Sequence, residues 1–309
     1  MSAPAPATGL DGYPFVTQSV EIGGHRMSYV DEGDRDAPPV LLVHGNPTWS
    51  FYYRTLLRSL PARGRRVLAP DHIGMGLSDK PSLQEYPHTL TRRVADLTAF
   101  VDGLDLAGPV SLVVHDWGGP IGLAWAAEHP DRVADVVVMN TGAFPLPDDH
   151  GLPWMLRAAR LPVVSDVLVR RLGAFSLGAL VLGTGRAWLP GEARRGLLAP
   201  YDRPEHRVAV HAFVRDIPLG PDDPAHPVLV RLEERLGLLD ARPVQVHWGM
   251  KDPVFDADIL AHVERHLPRA EIFRYPDAGH YVLEDEPDAI GARVDAFLDR
   301  RPDRRQDHR

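Results

Sequence analysis

The chain has 309 residues, of which 44% are hydrophobic and 25% are charged, so disorder and fibrous repeats are excluded for most of its length. The net charge of −8 argues against nucleic acid as the main ligand, because phosphate binding needs a basic surface. The sequence contains no cysteine, which excludes disulfides, thiolate nucleophiles and cysteine-ligated metals. Residues 1–10 lack the pattern of a secretory signal, and no stretch has the roughly 18 apolar residues of a membrane span. We therefore expect a cytoplasmic protein.

Strand-like and helix-like segments alternate along most of the chain. Residues 16–22 and 27–31 alternate in polarity and predict an antiparallel hairpin. Short apolar runs typical of buried parallel strands follow at 39–44, 66–70, 109–115, 133–140, 243–248 and 270–275. Helical periodicity lies at 90–104, 119–129, 256–267 and 288–300. The pattern predicts an α/β protein with a mainly parallel central sheet and helices on both faces.

One long segment interrupts this alternation and divides the predicted domain. Residues 145–236 have no strong strand and contain apolar, arginine-punctuated helical stretches, so we expect a helical cap over the carboxyl ends of the strands. The core would then consist of residues 1–144, with about ten flexible residues at the start, and residues 237–299. Residues 300–309 form a basic tail that we expect to be flexible.

The first candidate for chemistry is a strand-to-helix turn around Asp116. His115, Asp116 and Trp117 end a valine-rich strand, and Gly118 and Gly119 begin the next helix. This is the context of a nucleophile elbow, in which small residues after the nucleophile let the helix pack closely. A carboxylate stands where serine is usual. Taken alone, Asp116 is more simply explained as a helix N-cap.

Two further groups favour a catalytic role for Asp116. Asp252 follows the strand at 243–248, and His280 follows the last strand. The chain order of nucleophile, acid and histidine is that of the α/β-hydrolase arrangement. Because parallel strands end at the same edge of a sheet, the three side chains are expected to meet there. Asn140 also ends a strand, and it carries an amide where Asp252 carries a carboxylate.

A fourth loop follows the strand at 39–44 and contains Asn46. In α/β hydrolases this loop supplies one backbone N–H to an oxyanion hole, and the residue after the nucleophile supplies another. Here these residues are Asn46 and Trp117, whose side chains also carry N–H groups for a leaving anion. The simpler interpretation of Asn46 is a turn residue before a proline.

Four motifs together resemble the haloalkane dehalogenase family of α/β-hydrolases over nearly the whole chain. They are residues 44–49 (His-Gly-Asn-Pro-Thr-Trp), 71–81 (Asp-His-Ile-Gly-Met-Gly-Leu-Ser-Asp-Lys-Pro), 115–119 (His-Asp-Trp-Gly-Gly) and 279–280 (Gly-His). The resemblance implies an α/β-hydrolase fold with a helical cap. It also implies Asp116 as nucleophile, His280 as base and Asp252 as its partner, with Asn46 and Trp117 holding the anion.

Within this family the chain is most similar to the branch of β-lactone decarboxylases of bacterial long-chain olefin biosynthesis. The residues that carry this finer resemblance lie at 13–15, 49–54, 199–202, 216–221 and 277–285. The resemblance implies decarboxylation of cis-3,4-dialkyl β-lactones to alkenes and carbon dioxide. The alternative is haloalkane dehalogenation, in which water hydrolyses an alkyl-enzyme ester.

Two other functions are less well supported by the sequence. Epoxide hydrolysis normally uses cap tyrosines as acids, and Tyr201 is the only tyrosine between residues 145 and 236. A non-catalytic scaffold would not need Asp116, Asp252 and His280 together.

Ligand and partner expectations follow from the same residues. The histidine spacing and glycine loops predict no metal and no cofactor. We expect a small hydrophobic substrate. The apolar stretch at 152–189, which contains five arginines, would either line its pocket or face a pathway enzyme or a membrane surface.

Overall fold

The computed structural model describes residues 9–147, 151–161, 164–186 and 188–300, so most of the predicted flexible start and tail lies outside the described residues. Its centre is an eight-stranded sheet with strand order β1-β2-β4-β3-β5-β6-β7-β8. The strands are β1 (Thr17–Ile22), β2 (His25–Glu32), β3 (Pro39–Val43), β4 (Arg66–Pro70), β5 (Val110–His115), β6 (Val133–Met139), β7 (Val244–Gly249) and β8 (Glu271–Tyr275). Strand β2 is antiparallel to β1 and β4, and all other pairs are parallel. The predicted hairpin and parallel strands are confirmed.

Helices cover both faces of the sheet, since every residue of β3, β4, β5 and β7 is buried. The helices are α1 (Arg54–Ser59), α2 (Leu90–Asp102), α3 (Gly118–Glu128), α4 (Trp154–Ala158), α5 (Ala174–Leu182), α6 (Gly191–Leu198), α7 (Val208–Asp216), α8 (His226–Leu239), α9 (Ala257–His266), α10 (Val282–Asp285) and α11 (Pro287–Asp299). Helix α3 packs between α2 and α8, whereas α11 packs on α1 and α10. Among the residues described, no helix is both long and apolar enough to span a membrane.

The predicted cap segment contains helices α4 to α7 and a short π-helix, Asp166–Arg171. Helix α5 packs on this π-helix, and α7 contacts it as well. The predicted cap boundary at residue 236 falls inside α8, a helix that packs on α3 and α9. The apolar side of α8 packs on these core helices, so α8 lies with the layers around the sheet although it follows the cap directly in sequence.

Helix α7 connects the cap to the core. The buried guanidinium of Arg93 lies 3.4 Å from the ring centre of Phe213 and 3.6 Å from the carboxylate of Asp216. The same carboxylate accepts a 2.6 Å hydrogen bond from the backbone N–H of Leu90 at the start of α2. Burial of the guanidinium lowers the pKa of Arg93 to about 10, and the negative charge of Asp216 offsets part of this shift. A buried charge pair with an aromatic partner thus anchors this part of the cap.

Residues that resemble the decarboxylase branch form a second connection. The ring of Tyr13 lies 5.0 Å from Trp49 and 5.5 Å from Phe51, and its hydroxyl bonds to Ser50 Oγ at 2.6 Å. The indole N–H of Trp49 donates to the carbonyl of Gly196 in α6 at 3.0 Å. These side chains are buried away from the cavity described below and hold α6 against the core.

The close packing of α3 on β3 yields a stability prediction. A Cβ atom on Gly118 would lie 1.9 Å from the carbonyl oxygen of Val43, a backbone atom that cannot move freely. We expect Gly118→Ala to lower the free energy of unfolding by about 3 kcal/mol or more, because overpacking forces the helix off the sheet. Chemical denaturation measures the change. The control is Gly237→Ala in α8, where a Cβ meets nothing within 4 Å; an equal loss there would contradict the packing argument.

Candidate active site

Asp116 occupies the turn between β5 and α3 with a φ of 51°, in the left-handed region that is unfavourable for non-glycine residues. Its backbone is held on both sides. The N–H donates to the carbonyl of Asn140 at 3.1 Å, and the carbonyl accepts from Gly119 N–H at 2.9 Å and from the hydroxyl of Thr141 at 2.5 Å. The turn therefore fixes the side chain of Asp116 at the carboxyl edge of the sheet.

His280 lies between two carboxylates. Its Nε2 atom is 3.5 Å from Oδ2 of Asp116, and its Nδ1 atom is 2.8 Å from Oδ2 of Asp252. All three side chains are buried. The structure thus brings together the three residues that the sequence predicted to meet, in the order carboxylate, imidazole, carboxylate. Such an arrangement can deliver nucleophilic attack at one end and orient the imidazole from the other.

Asn140 has a contact that the sequence analysis missed. Its side-chain amide donates to Oδ2 of Asp252 at 2.9 Å and to the carbonyl of Gly249 at 3.1 Å, and its Oδ1 accepts from Gly249 N–H at 2.8 Å. The other oxygen of Asp252 accepts from the backbone N–H groups of Val254 and Phe255 at 2.7 and 3.1 Å. Asn140 therefore positions Asp252 although it cannot replace it. The sequence feature that could have indicated this role is the position of Asn140 directly after β6.

The ring of His115 packs against the ring of His280. The two ring centres are 4.7 Å apart, and His115 Nε2 bonds to the carbonyl oxygen of His280 at 2.8 Å. On the other side His115 stacks on Tyr52 at 4.5 Å. Burial lowers the pKa of His115 to about 3, so its ring is neutral and donates Nε2–H to that carbonyl.

Asn46 contacts Asp116 through its backbone. Its N–H donates to Oδ1 of Asp116 at 2.6 Å, while its side-chain amide donates to the carbonyl of Val210 in α7 at 3.2 Å. The N–H group that was assigned to an oxyanion hole is thus bonded to the carboxylate itself. The other oxygen of Asp116, Oδ2, lies 3.5 Å from Nε2 of His280. One N–H of the Asn46 side chain remains for an anion, and both Asn46 and Trp117 line the cavity in front of Asp116.

The surroundings of Asp116 and His280 shift the pKa of both groups. Burial raises the pKa of Asp116, but the hydrogen bond and positive charge of His280 outweigh it, so the pKa lies below its ordinary value. Burial lowers the pKa of His280, but Asp252 first and Asp116 second outweigh it and raise the pKa to about 10. In the free protein at neutral pH the site therefore holds an imidazolium between two carboxylates.

A cavity of about 340 Å³ lies between this site and the cap. Asp116 and His280 are the ionisable side chains among its described lining residues, and Asn46, Trp117 and the largely exposed Trp154 are the others with a polar group. The rest of the lining is apolar and comes from both layers, for example Phe144 and Phe255 from the core and Leu168, Phe175 and Val214 from the cap. The arrangement suits a hydrophobic substrate whose reacting centre alone meets polar groups.

Tyr201 does not face this cavity. Its buried hydroxyl donates to the carbonyl of Thr48 at 3.0 Å and accepts from Gly76 N–H at 3.3 Å. Tyr201 therefore connects the cap to two core loops and is not placed to protonate a substrate.

Another group of titratable side chains lies outside the cavity lining. Glu233 in α8 and His262 and His266 in α9 bring ligand atoms within 4.8 Å of one another, a geometry that the sequence analysis did not foresee. His262 already bonds to Glu233 at 2.6 Å and to Arg265 at 2.7 Å. The bond between His262 and Glu233 links α9 to α8, and it explains why these side chains lie together.

The charge pattern of the site predicts a change in the pKa of His280. Asp252→Asn removes the carboxylate that contributes most to the upward shift, so we expect the pKa to fall from about 10 toward its ordinary value of 6.5. Histidine NMR titration measures it, with the exposed Asp258→Asn as control. An unchanged titration in Asp252→Asn would contradict the pairing.

The raised pKa of His280 also predicts how stability depends on pH. The charged ring stabilises the fold fully below pH 6.5, and this contribution is lost as the pH rises through about 10.

The contacts of Asn140 lead to a separate prediction. Asn140→Ala leaves the buried N–H of Gly249 without its partner, so we expect a loss of about 1–3 kcal/mol in the free energy of unfolding. The carboxylate of Asp252 remains bonded to two backbone N–H groups, so turnover should fall less than in Asp252→Asn. Denaturation and kinetics of both variants measure the two effects. A larger loss of turnover in Asn140→Ala would show that Asn140 orients His280 more strongly than Asp252 does.

Comparisons with known proteins agree with this fold and site. Residues 38–287 match the family model of the alpha/beta hydrolase fold. The chain is 41% identical to a cis-3-alkyl-4-alkyloxetan-2-one decarboxylase of Xanthomonas campestris pv. campestris, covering 94% of this chain and 98% of that one. It is 35% identical to a haloalkane dehalogenase of Mycolicibacterium paratuberculosis, covering 92% and 93%. The crystal structure of haloalkane dehalogenase DatA from Agrobacterium tumefaciens C58 superposes with a TM-score of 0.82 at 28% identity, covering 92% and 96%. The chain belongs to the α/β-hydrolase fold family, among the relatives that include these decarboxylases and haloalkane dehalogenases.

Proposed function

We propose that this protein decarboxylates cis-3-alkyl-4-alkyloxetan-2-ones, which are β-lactones with two alkyl chains, to an alkene and carbon dioxide. The observation that carries the proposal is a carboxylate beside an imidazole as the ionisable groups of an otherwise largely apolar cavity, in a chain 41% identical to a decarboxylase of this name. Identity to the dehalogenase cited above is lower, at 35%. The cytoplasmic location expected from the sequence stays a prediction.

The first step is attack on the lactone ring. Oδ2 of Asp116 forms a bond to ring carbon 4, which carries an alkyl chain and the ring oxygen. The bond between carbon 4 and that oxygen breaks, and its electron pair stays on the oxygen as a carboxylate. The side-chain N–H groups of Asn46 and Trp117, which line the cavity beside Asp116, support the proposal because they can donate to this leaving carboxylate.

The second step returns the enzyme to its starting state. The bond between carbon 3 and the carboxylate breaks, carbon dioxide leaves, and the released electron pair forms the double bond between carbons 3 and 4. The ester bond from carbon 4 to Asp116 breaks, and its pair restores the carboxylate. Neither step consumes water or a proton. The pKa of His280 is raised to about 10 in the free enzyme. In the ester intermediate the carboxylate of the opened lactone replaces the charge that Asp116 has lost, so His280 can remain an imidazolium throughout.

Haloalkane dehalogenation is the second candidate, and the structural similarity to DatA favours it. Asp116 would displace halide toward Asn46 and Trp117 and form the same kind of alkyl ester. The ester carries no charge, so one of the two carboxylates that raise the pKa of His280 is lost. The imidazole could then lose its proton and activate water to hydrolyse the ester.

The other two functions gain no support. An epoxide hydrolase would use the cap tyrosine, but the hydroxyl of Tyr201 is bonded to Thr48 and Gly76 outside the cavity lining. A scaffold without activity would not require a strained, buried Asp116 beside His280.

A nucleophilic role for Asp116 makes a direct prediction. Asp116→Asn keeps an oxygen for the N–H of Asn46 but removes the nucleophile, so we expect turnover to fall by about three orders of magnitude or more. Alkene formation is measured by gas chromatography, and circular dichroism checks the fold. Asp258→Asn, an exposed carboxylate on α9, serves as the control. Near-normal turnover by folded Asp116→Asn would rule out covalent catalysis by this residue.

Substrate preference separates the two candidate functions. Purified protein is given cis-disubstituted β-lactones with long alkyl chains and, in parallel, haloalkanes. We expect alkene from the lactone at a higher rate than halide from the haloalkane, measured by gas chromatography and a halide assay. Fast halide release without alkene would make the protein a dehalogenase. A hydroxy acid from the lactone would show that water reaches the ester and that His280 acts as a base.

A further inference from the structure

Exposed apolar side chains are concentrated in one part of the cap. Ten of the fourteen large hydrophobic residues exposed in the described part of the chain lie between residues 154 and 188. Trp154 is 77% exposed, Leu172 61% and Leu177 51%. Because α5 packs on the π-helix, Leu172, Leu177 and Val181 belong to neighbouring elements. We call this exposed part of residues 154–188 the cap face. A concentration of exposed apolar side chains of this kind marks a site of interaction.

The cap face is continuous with the cavity. Trp154, Leu168 and Leu182 line the cavity and are also exposed, at 77%, 37% and 50%. Side chains that do both lie at the mouth of a cavity. The cavity therefore opens through the cap face, and a substrate with two long chains would pass these three residues.

The charge of the cap face differs in sign from that of the protein. Residues 151–190 contain five arginines and one acidic residue, Asp166, and two of the arginines, Arg160 and Arg186, form ion pairs with Asp223 and Glu286 from outside the segment. Counting these partners, the segment still has a net charge of +2 in a chain whose total is −8. Arg157 and Arg171 are exposed. Asp166 accepts hydrogen bonds from both Arg170 and Arg171, so one carboxylate faces two guanidinium groups. Positive charge beside exposed apolar side chains complements an anionic lipid surface.

We propose that the cap face docks on the surface of an anionic lipid bilayer. Its apolar side chains enter the boundary between headgroups and acyl chains, and Arg157 and Arg171 contact lipid phosphates. The mouth at Trp154, Leu168 and Leu182 then faces the bilayer, so that alkyl chains enter the cavity without crossing water. Docking follows from the surface alone, whereas its use for substrate entry rests on the proposed function.

Co-sedimentation of the full chain with vesicles tests docking. We expect binding to vesicles of equal parts phosphatidylglycerol and phosphatidylcholine, weaker binding to phosphatidylcholine alone, and loss of binding at high salt. Leu172→Glu combined with Leu177→Glu should weaken binding at least about tenfold, since two exposed apolar contacts become charged. Arg157→Gln and Arg171→Gln should each weaken it about fivefold. Leu238→Glu is the control, because Leu238 is 52% exposed and lies shortly before the start of β7, at the edge of the sheet opposite the cap.

The outcomes are separable from those of the proposed function. Leu172 and Leu177 do not line the cavity, so their variants should turn over detergent-dispersed lactone at the normal rate whether or not they bind vesicles. Failure of the wild-type chain to bind anionic vesicles would overturn the proposal. Equal binding by the double variant and the control would also overturn it. So would self-association that the same variants abolish, because a second copy of the chain would then cover the cap face.

Discussion

The left-handed backbone of Asp116 is the constraint on which the site depends. A non-glycine residue in this conformation costs about 1–3 kcal/mol, and it persists only where the surroundings fix it. Hydrogen bonds from Thr141 and to Asn140, both just after β6, together with the glycine contact between α3 and β3, supply that support. The turn places the carboxylate where the loops after β3, β7 and β8 also end. Asn46, Asp252 and His280 reach it for that reason.

The apolar lining of the cavity decides which chemistry is favourable there. Away from Asp116, His280, Asn46 and Trp117, the described lining offers no ionisable group to a substrate. Water away from these four residues finds few partners in such a cavity. A carboxylate that forms an ester and is released by expulsion of carbon dioxide needs no water. Dehalogenation uses the same attack but requires water to reach the ester, so the two activities differ in solvent access.

Strong local patterns made the fold and the carboxylate turn predictable. Buried strands appeared as valine-rich runs, and the paired glycines after Asp116 marked the tight turn. The sequence could not show which N–H group donates a hydrogen bond to each carboxylate. The bond from Asn46 N–H to Asp116 and the amide of Asn140 on Asp252 depend on distances between loops far apart in sequence. The predicted cap boundary at residue 236 lies inside α8, since this helix has the same amphipathic pattern whether it packs on the cap or on α3.

Turnover in water enriched in oxygen-18, followed by mass spectrometry of the peptide that contains Asp116, tests the central claim most directly. When water hydrolyses an ester of Asp116, it attacks the ester carbonyl, and one labelled oxygen stays in the carboxylate. When carbon dioxide expels the carboxylate, its oxygens are unchanged. The account predicts alkene from the lactone over many turnovers with no label in the Asp116 peptide. Label in that peptide during lactone turnover would contradict the account and show that the enzyme acts as a hydrolase.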